Sequence, residues 1–394
     1  MCRKWVCVIF CVLFSGIAHN AAAGAKVVMK LNQGITIDRQ FFRVPPEPAS
    51  TIVPKDIQII KSMGFEFVKL IVNPACFISG ATIKDSNMWY LDEIVNRVVH
   101  EGLPVVVCIH PENDFKVTYL GDWTQFQNLL GFYKDFAAYM AARWGPNELA
   151  FQLMTEPRAN AWGWNTMQPL MWQAVRSTMP AHTLILSGDQ TGIIEGLVND
   201  VDPNLINDNN VYYSFTTYYP FTFTCQGWNL VGVAYSSWLN NVPYPSSTSN
   251  NPAQYILPEC PNNLYSNAYS AVDTYCDTPW DMNQQRAVLK PIKTWNQAHG
   301  GNVKVWCAEF GSLDRKMASA GGGCNPPERI QFIHDRRQAL EEINIGWAYW
   351  SYNETFTVLD PNLRVRNSKS PSYNWVDKET LHALGLLSGQ GDIK

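Results

Sequence analysis

Beyond residue 26 the chain alternates two kinds of apolar pattern. The first is a short, nearly unbroken run rich in β-branched residues. It recurs as "VVMKLNQGI" (27–35), "FEFVKLIV" (65–72), "LPVVVCIH" (103–110), "LAFQLMTE" (149–156), "HTLILSG" (182–188), "VYYSFTTY" (211–218), "VKVWCAEF" (303–310) and "GWAYWSY" (346–352). Runs of this length without polar alternation predict strands buried on both faces. The second pattern places apolar residues every three or four positions and stops on glycine, as in "KDIQIIKSMG", "YLDEIVNRVVHEG" and "FQNLLGFYKDFAAYMAARWG". That spacing and that stop predict amphipathic helices.

Strand and helix in alternation argue for a parallel sheet, and eight such units predict a (β/α)₈ barrel. An open doubly wound sheet is the alternative, but the Gly-rich phosphate loop expected after its first strand is absent. Between the sixth and seventh strands, from Pro220 to Trp280, the chain is rich in Asn, Pro, Ser, Tyr and Trp. We expect a long decorated loop on the barrel rim there, without apolar periodicity and not a second domain. The C-terminal "KETLHALGLL" predicts a closing helix.

The first residues follow a different logic. Arg3 and Lys4 precede the apolar "WVCVIFCVLFSGIA", too short to span a bilayer, and "NAAAGA" supplies small residues for cleavage after Ala23. Residues 1–23 are therefore expected to be a signal peptide, and 24–394 one barrel domain, secreted or periplasmic and monomeric. Charged residues make up 16% of the 394 and the formal net charge is −4, with no basic run, which excludes nucleic acid and anionic membrane as expected partners. The His and Cys residues show no metal-ligand spacing, so no metal or cofactor is expected. Cys260 and Cys276, in a polar region, are candidates for a loop-closing disulfide, whereas Cys108 and Cys307 sit in apolar runs and read as buried thiols.

Reacting groups of such barrels lie at the C-terminal ends of the strands. Those ends supply Lys69, His110, Glu156, Tyr218, Glu309 and Trp350. Two carboxylates facing each other over a barrel mouth, with no metal ligands beside them, are equipment for cleaving a glycosidic bond. One must hold a proton near neutral pH while the other is ionised, and mutual repulsion and burial separate their pKa values. No cation follows Glu156 in sequence until Arg158, which suits a proton donor. Aromatic residues reach 13%, and a pyranose face stacks on flat rings; Trp123, Trp162, Trp164, Trp228 and Trp350 are the candidates. Glu112 and Asp114, after the third strand, read as rim charges or substrate hydrogen-bonders, the solvated-loop reading ahead. No G-x-S-x-G occurs to support a serine hydrolase.

"FQLMTEP", "VYYSFTTYYPFTFTCQGW", "VPYPS", "VWCAEFGS" and "IGWAYWSYNE" occur in an order that resembles glycoside hydrolase family 5, the cellulase family of retaining β-glycosidases. The resemblance implies Glu156 as general acid/base and Glu309 as nucleophile, with His110, Tyr218 and Trp350 lining the reacting subsite and an oligo- or polysaccharide as substrate. It also marks departures. Thr155 stands where the family has Asn, Thr216 where it has His, Lys69 where Arg is expected, and Cys225 where a loop His is expected. All four are expected around one subsite. A β-glucan hydrolase is the first reading; a carbohydrate-binding protein on a hydrolase scaffold, its catalysis impaired by Thr155 and Thr216, is the second.

Overall fold

Each of the eight apolar runs contains or overlaps a strand in a computed structural model of the protein, which describes residues 28–42, 46, 52–159, 163–230, 232–360 and 372–386. The predicted leader over 1–23 lies outside the described residues, as does Trp162. The strands are β1 (Gln33–Asp38), β2 (Phe67–Val72), β3 (Val105–Ile109) and β4 (Leu149–Gln152), then β5 (Leu184–Ser187), β6 (Val211–Thr217), β7 (Val305–Phe310) and β8 (Gly346–Tyr349). All pair in parallel with their sequence neighbours, and β1 pairs with β8 through Gln33↔Trp347 and Ile35↔Tyr349, closing the barrel. Around them run α1 (Pro54–Ser62), α2 (Asp85–His100), α3 (Asn113–Gly121), α4 (Trp123–Ala141), α5 (Trp164–Arg176), α6 (Ile194–Asp200), α7 (Asn262–Asp277), α8 (Met282–Ala298), α9 (Pro326–Glu341) and α10 (Lys378–Ala383). Among the described residues no helix is long and apolar enough to cross a membrane.

Period-two alternation divides each strand between two environments. Val68, Leu70, Val105, Val107, Leu149 and Phe151 join the large core under the helices. Phe67, Val106, Ala150, Ile185, Trp306 and Ala348 form a separate plug inside the barrel. Phe67 is fully buried, and a Cβ added at Gly34 on the neighbouring strand would lie 2.2 Å from its ring, so only glycine fits there. One layer higher the interior turns polar, with Gln152 donating to Ser187 (3.0 Å) and Ser214 (3.3 Å). That layer supports the rim, where the chemistry-bearing residues emerge.

Two expectations need correction. The first strand begins at Gln33, not at Val27, because Met29 and Leu31 turn into the barrel plug and Met29 N–H donates to Thr183 Oγ1 at 2.8 Å. The segment 220–280 is not an unpatterned loop. It contains α7, whose Ala268, Val272, Tyr275 and Cys276 face Phe223, Leu239, Val242, Tyr244, Trp280 and Phe332 in an apolar cluster of their own. Leu264, Ala268 and Val272 already carry the i, i+4, i+8 spacing of a helix, diluted in sequence by the flanking Asn and Ser. Cys260 and Cys276 are free thiols buried in that cluster, not a disulfide.

Candidate active site

Glu309, the penultimate residue of β7, is 2% exposed and is gripped by side chains from β2 and from the segments that follow β4 and β6. The Lys69 ammonium, from β2, meets its Oε1 at 2.6 Å and also donates to Ala308 O at 3.1 Å. Tyr218, just past β6, donates its hydroxyl to Oε2 at 3.0 Å, and Thr155 Oγ1 reaches Oε1 at 3.4 Å. Burial, the largest influence, would lower the Lys69 ammonium; Glu309, Cys108 and Glu156 together outweigh it and hold the group above its ordinary 10.5. Burial and the Glu309 charge drive the Tyr218 hydroxyl well above its ordinary range, so it stays a donor. The result is a carboxylate fixed at both oxygens. A substrate can approach it only from the open side of the mouth.

Glu156 is built differently. The strand ends at Gln152, four residues before the glutamate, although Thr155 N–H still bonds to Ile109 O on β3 (2.8 Å). Glu156 itself adopts a left-handed backbone (φ 50°), uncommon for a side-chain-bearing residue and recurrent at functional turns. Behind it the segment after β5 is also left-handed at Gln190, Thr191 and Gly192, and Thr191 N–H donates to Pro157 O at 2.9 Å. A Cβ on Gly192 would sit 3.4 Å from the Glu156 Cα, so this segment is the wall against which the glutamate backbone is set. Burial, then the Glu309 charge, push the Glu156 carboxyl up to about 7, against the opposing pull of Lys116 and Lys69. The two carboxyl groups thus meet different surroundings: one is paired with a cation, the other holds a proton near neutrality.

Lys116 is the residue that inspection of the sequence missed. It lies on α3 at 4% exposure, and burial lowers its ammonium below the usual range while the Glu156 and Glu309 charges oppose that fall. The absence of a cation near Glu156 in sequence is therefore corrected by the fold: two lysines arrive from distant segments. Within α3 the only prior signal is that Lys116 and Leu120 share one face.

The remaining expected residues divide. His110 and Trp350 lie on the same rim with ring centroids 6.1 Å apart, and burial lowers the imidazole to about 4, leaving it neutral at pH 7. Trp228, Trp350 and Tyr218 pack around Cys225, Leu313 and Phe356. Cys225 stays a buried thiol, pushed by burial to about 12. Thr216 comes to the rim but turns to the β5–α6 segment, its hydroxyl 3.5 Å from the carbonyls of Thr191 and Gly192. Trp123 is 39% exposed at the start of α4. Trp164 is not a rim aromatic: it opens α5 at 3% exposure and donates its indole N–H to Ser187 O at 2.8 Å, as core residues do.

Comparison with known proteins follows the same lines. The family model for Cellulase (glycosyl hydrolase family 5) matches residues 47–355. Endoglucanase 3 of Fibrobacter succinogenes is 25% identical over 327 residues, covering 77% of this chain and 46% of that protein, so the chain spans about half of that relative's length. Endoglucanase C of Acetivibrio thermocellus is 25% identical over 320 residues, covering 77% of this chain and 84% of that one. Among solved structures, Thermotoga maritima Cel5A in complex with mannotriose superposes with a TM-score of 0.66 at 20% identity, over 90% of this chain and 97% of that one. The cellulose synthase subunit Z of Clostridioides difficile superposes equally well, TM-score 0.66 at 19% identity, over 90% and 99%. At those identities the structural likeness speaks for the barrel alone.

Proposed function

The chain belongs to glycosyl hydrolase family 5, the cellulase family, and from that premise we propose that it is a retaining endo-acting hydrolase of a β-linked glucan or a related hexose polysaccharide. The observation that carries this reading is the unequal treatment of the two carboxyl groups: Glu309 clamped by Lys69, Tyr218 and Thr155, Glu156 pushed up to about 7. In the first step Glu309 attacks the anomeric carbon while Glu156 gives its proton to the departing glycosidic oxygen. In the second, Glu156 takes a proton from water as that water displaces Glu309 and restores the free carboxylate.

Each neighbour has a task in that sequence. Lys69 and Tyr218 fix the nucleophile's oxygens, and the proton held by Tyr218 keeps one lone-pair direction occupied. Neutral His110 can donate to or accept from a sugar hydroxyl without adding charge, and Trp350 offers a ring face. Export of the protein through the 1–23 leader, and a monomeric state, belong to the same proposal. The second reading, glycan binding without turnover, draws support from Thr216, whose hydroxyl turns to the β5–α6 carbonyls where the family's His would stand.

The test is hydrolysis of a panel of β-glucans, mannan, xyloglucan and aryl glycosides beside Glu309→Gln and Glu156→Gln proteins. A hydrolase loses nearly all turnover in both variants. No product from the native protein on any substrate, with binding of a glycan retained, would establish the second reading instead.

A further inference from the structure

The strand β7 is irregular where Glu309 leaves it. Cys307 and Phe310 pair with Phe215 and Thr217 on β6 and with Trp347 and Tyr349 on β8, so β7 holds an extra residue between them. A bulge of this kind re-aims a side chain. Trp306 and Ala308 join the plug inside the barrel, whereas Cys307 and Phe310 join the core under the helices. Strict alternation would send Glu309 outward beside Cys307; the extra residue turns it in, to Lys69 and Tyr218. A ladder interrupted at this point leaves the end of β6, and Tyr218 just beyond it, in need of another hold.

That hold comes from outside the barrel. Arg336, on α9, is fully buried, and its guanidinium reaches both neighbours of Tyr218: Nη1 donates to Thr217 Oγ1, and Nη2 donates to Tyr219 O at 2.8 Å. Its Nε donates to Gln285 Oε1 on α8 at 2.6 Å. The Gln285 amide lies 3.4 Å from the Tyr244 hydroxyl, which donates to Asp335 at 2.8 Å and so ties this cage to the 220–280 segment. Thr217, Tyr219 O and Gln285 are all uncharged. Burying a cation against neutral groups alone is unfavourable, and a helix that only had to pack on β6 would present an apolar side chain. What arginine adds is a rigid planar fork that fixes several acceptors at once.

We propose that Arg336 is a positioning residue for the reaction: it holds Thr217 and Tyr219 so that the hydroxyl of Tyr218, between them, meets Glu309 Oε2 at 3.0 Å. It acts through Tyr218 and not on Glu309 directly. The proposal rests on the hydrolase reading for its reaction. Once the hold is loosened, the hydroxyl moves off the carboxylate and Oε2 is free to turn from the line of attack. The loss falls on kcat, because the clamp orients the nucleophile after the substrate is bound.

The test is a double-mutant cycle on kcat, with a β-glucan or aryl glycoside that the native protein hydrolyses. Arg336→Lys keeps the buried charge and removes the fork; kcat is expected to fall about tenfold, with KM changed less than about twofold. Tyr218→Phe removes the hydroxyl through which Arg336 acts, so adding Arg336→Lys to it should lower kcat by no more than about twofold further. A second tenfold loss in that background, or native kcat in Arg336→Lys alone, overturns the proposal, since mere support of the barrel does not depend on that hydroxyl. Thr217→Val removes one acceptor and keeps the shape, and it covers the case in which Arg336→Lys fails to fold. Its severalfold loss of kcat should likewise vanish in the Tyr218→Phe background, and a loss that persists there overturns the proposal. Crystal structures supply a readout that needs no turnover. In Arg336→Lys protein the Tyr218 hydroxyl is expected to stand beyond about 3.5 Å from Glu309 Oε2; an unchanged 3.0 Å overturns the proposal. A native protein without turnover on any substrate removes the hydrolase reading. A displaced hydroxyl then keeps Arg336 as the residue that sets the clamp on Glu309, and an undisplaced one overturns both.

Discussion

The raised carboxyl of Glu156 makes a prediction about stability as well as catalysis. A group whose proton is held more tightly in the folded state than in the unfolded one favours folding at low pH, where it is protonated in both. That advantage disappears as pH climbs from the ordinary value of 4.5 through the folded value of about 7. At about 1.4 kcal/mol for each tenfold change in proton affinity, the displacement corresponds to roughly 3 kcal/mol. Glu156 keeps partial contact with solvent at the rim, and screening there reduces the expected effect to about 1–2 kcal/mol. Glu156→Gln keeps the shape and removes the titration. In urea unfolding, native protein and variant should have nearly equal stability near about pH 4, and the variant should gain about 1–2 kcal/mol by about pH 8. The alkaline limb of kcat/KM should fall over the same interval, centred near pH 7. A stability difference that does not change with pH would refute the view that burial and Glu309 hold the proton on Glu156. So would a variant that loses ground as pH rises.

Other consequences concern the groups around it. Lys69→Met leaves the buried Glu309 carboxylate without its cation and should cost about 3–5 kcal/mol in urea unfolding together with most of the turnover; a loss below about 1 kcal/mol would mean that the pair is not buried in effect. Lys116→Met removes a charge that favours the ionised form of Glu156, so the alkaline limb of the pH–rate profile should move upward, and a limb that stays put or moves down contradicts the assigned role. Thr155→Asn places an amide where a short hydroxyl only just reaches Glu309 at 3.4 Å, and severalfold higher turnover on β-glucan is expected; a fall in kcat would show that the Thr hydroxyl is itself the better fit.

How far the sequence led can be judged from particular residues. The strands were readable because parallel barrel strands are apolar on both faces, so "FVKLIV" and "VVVCI" announce themselves without any knowledge of their partners. Their C-terminal ends were readable for the same reason, and His110, Tyr218 and Glu309 do lie at or just beside them. Lys69 instead sits in the middle of β2 and reaches the mouth through its long side chain. What sits on the connecting segments was less accessible. Trp164 looked like a rim aromatic because it follows a strand closely, but chain distance does not say which way a helix start turns, and it turned inward. Cys260 and Cys276 looked paired because their neighbours are polar; the helix that carries Cys276 presents its apolar face to a cluster that also draws Phe223, Leu239, Val242 and Tyr244 from earlier in the chain and Phe332 from α9.

The deepest gap lies in electrostatics, because a carboxyl group responds to charges by distance in space and not along the chain. Glu156 looked suited to proton donation because no cation follows it closely in sequence, yet Lys69 and Lys116 both bear on it once the barrel closes. The carboxyl is nevertheless raised, for a different reason. Burial and the charge of Glu309 outweigh both lysines at Glu156, while at Glu309 the contact with Lys69 is direct at 2.6 Å. The same cation thus opposes the proton on one glutamate weakly and pairs with the other strongly. The difference in protonation between the two acids is set by which of them Lys69 can touch.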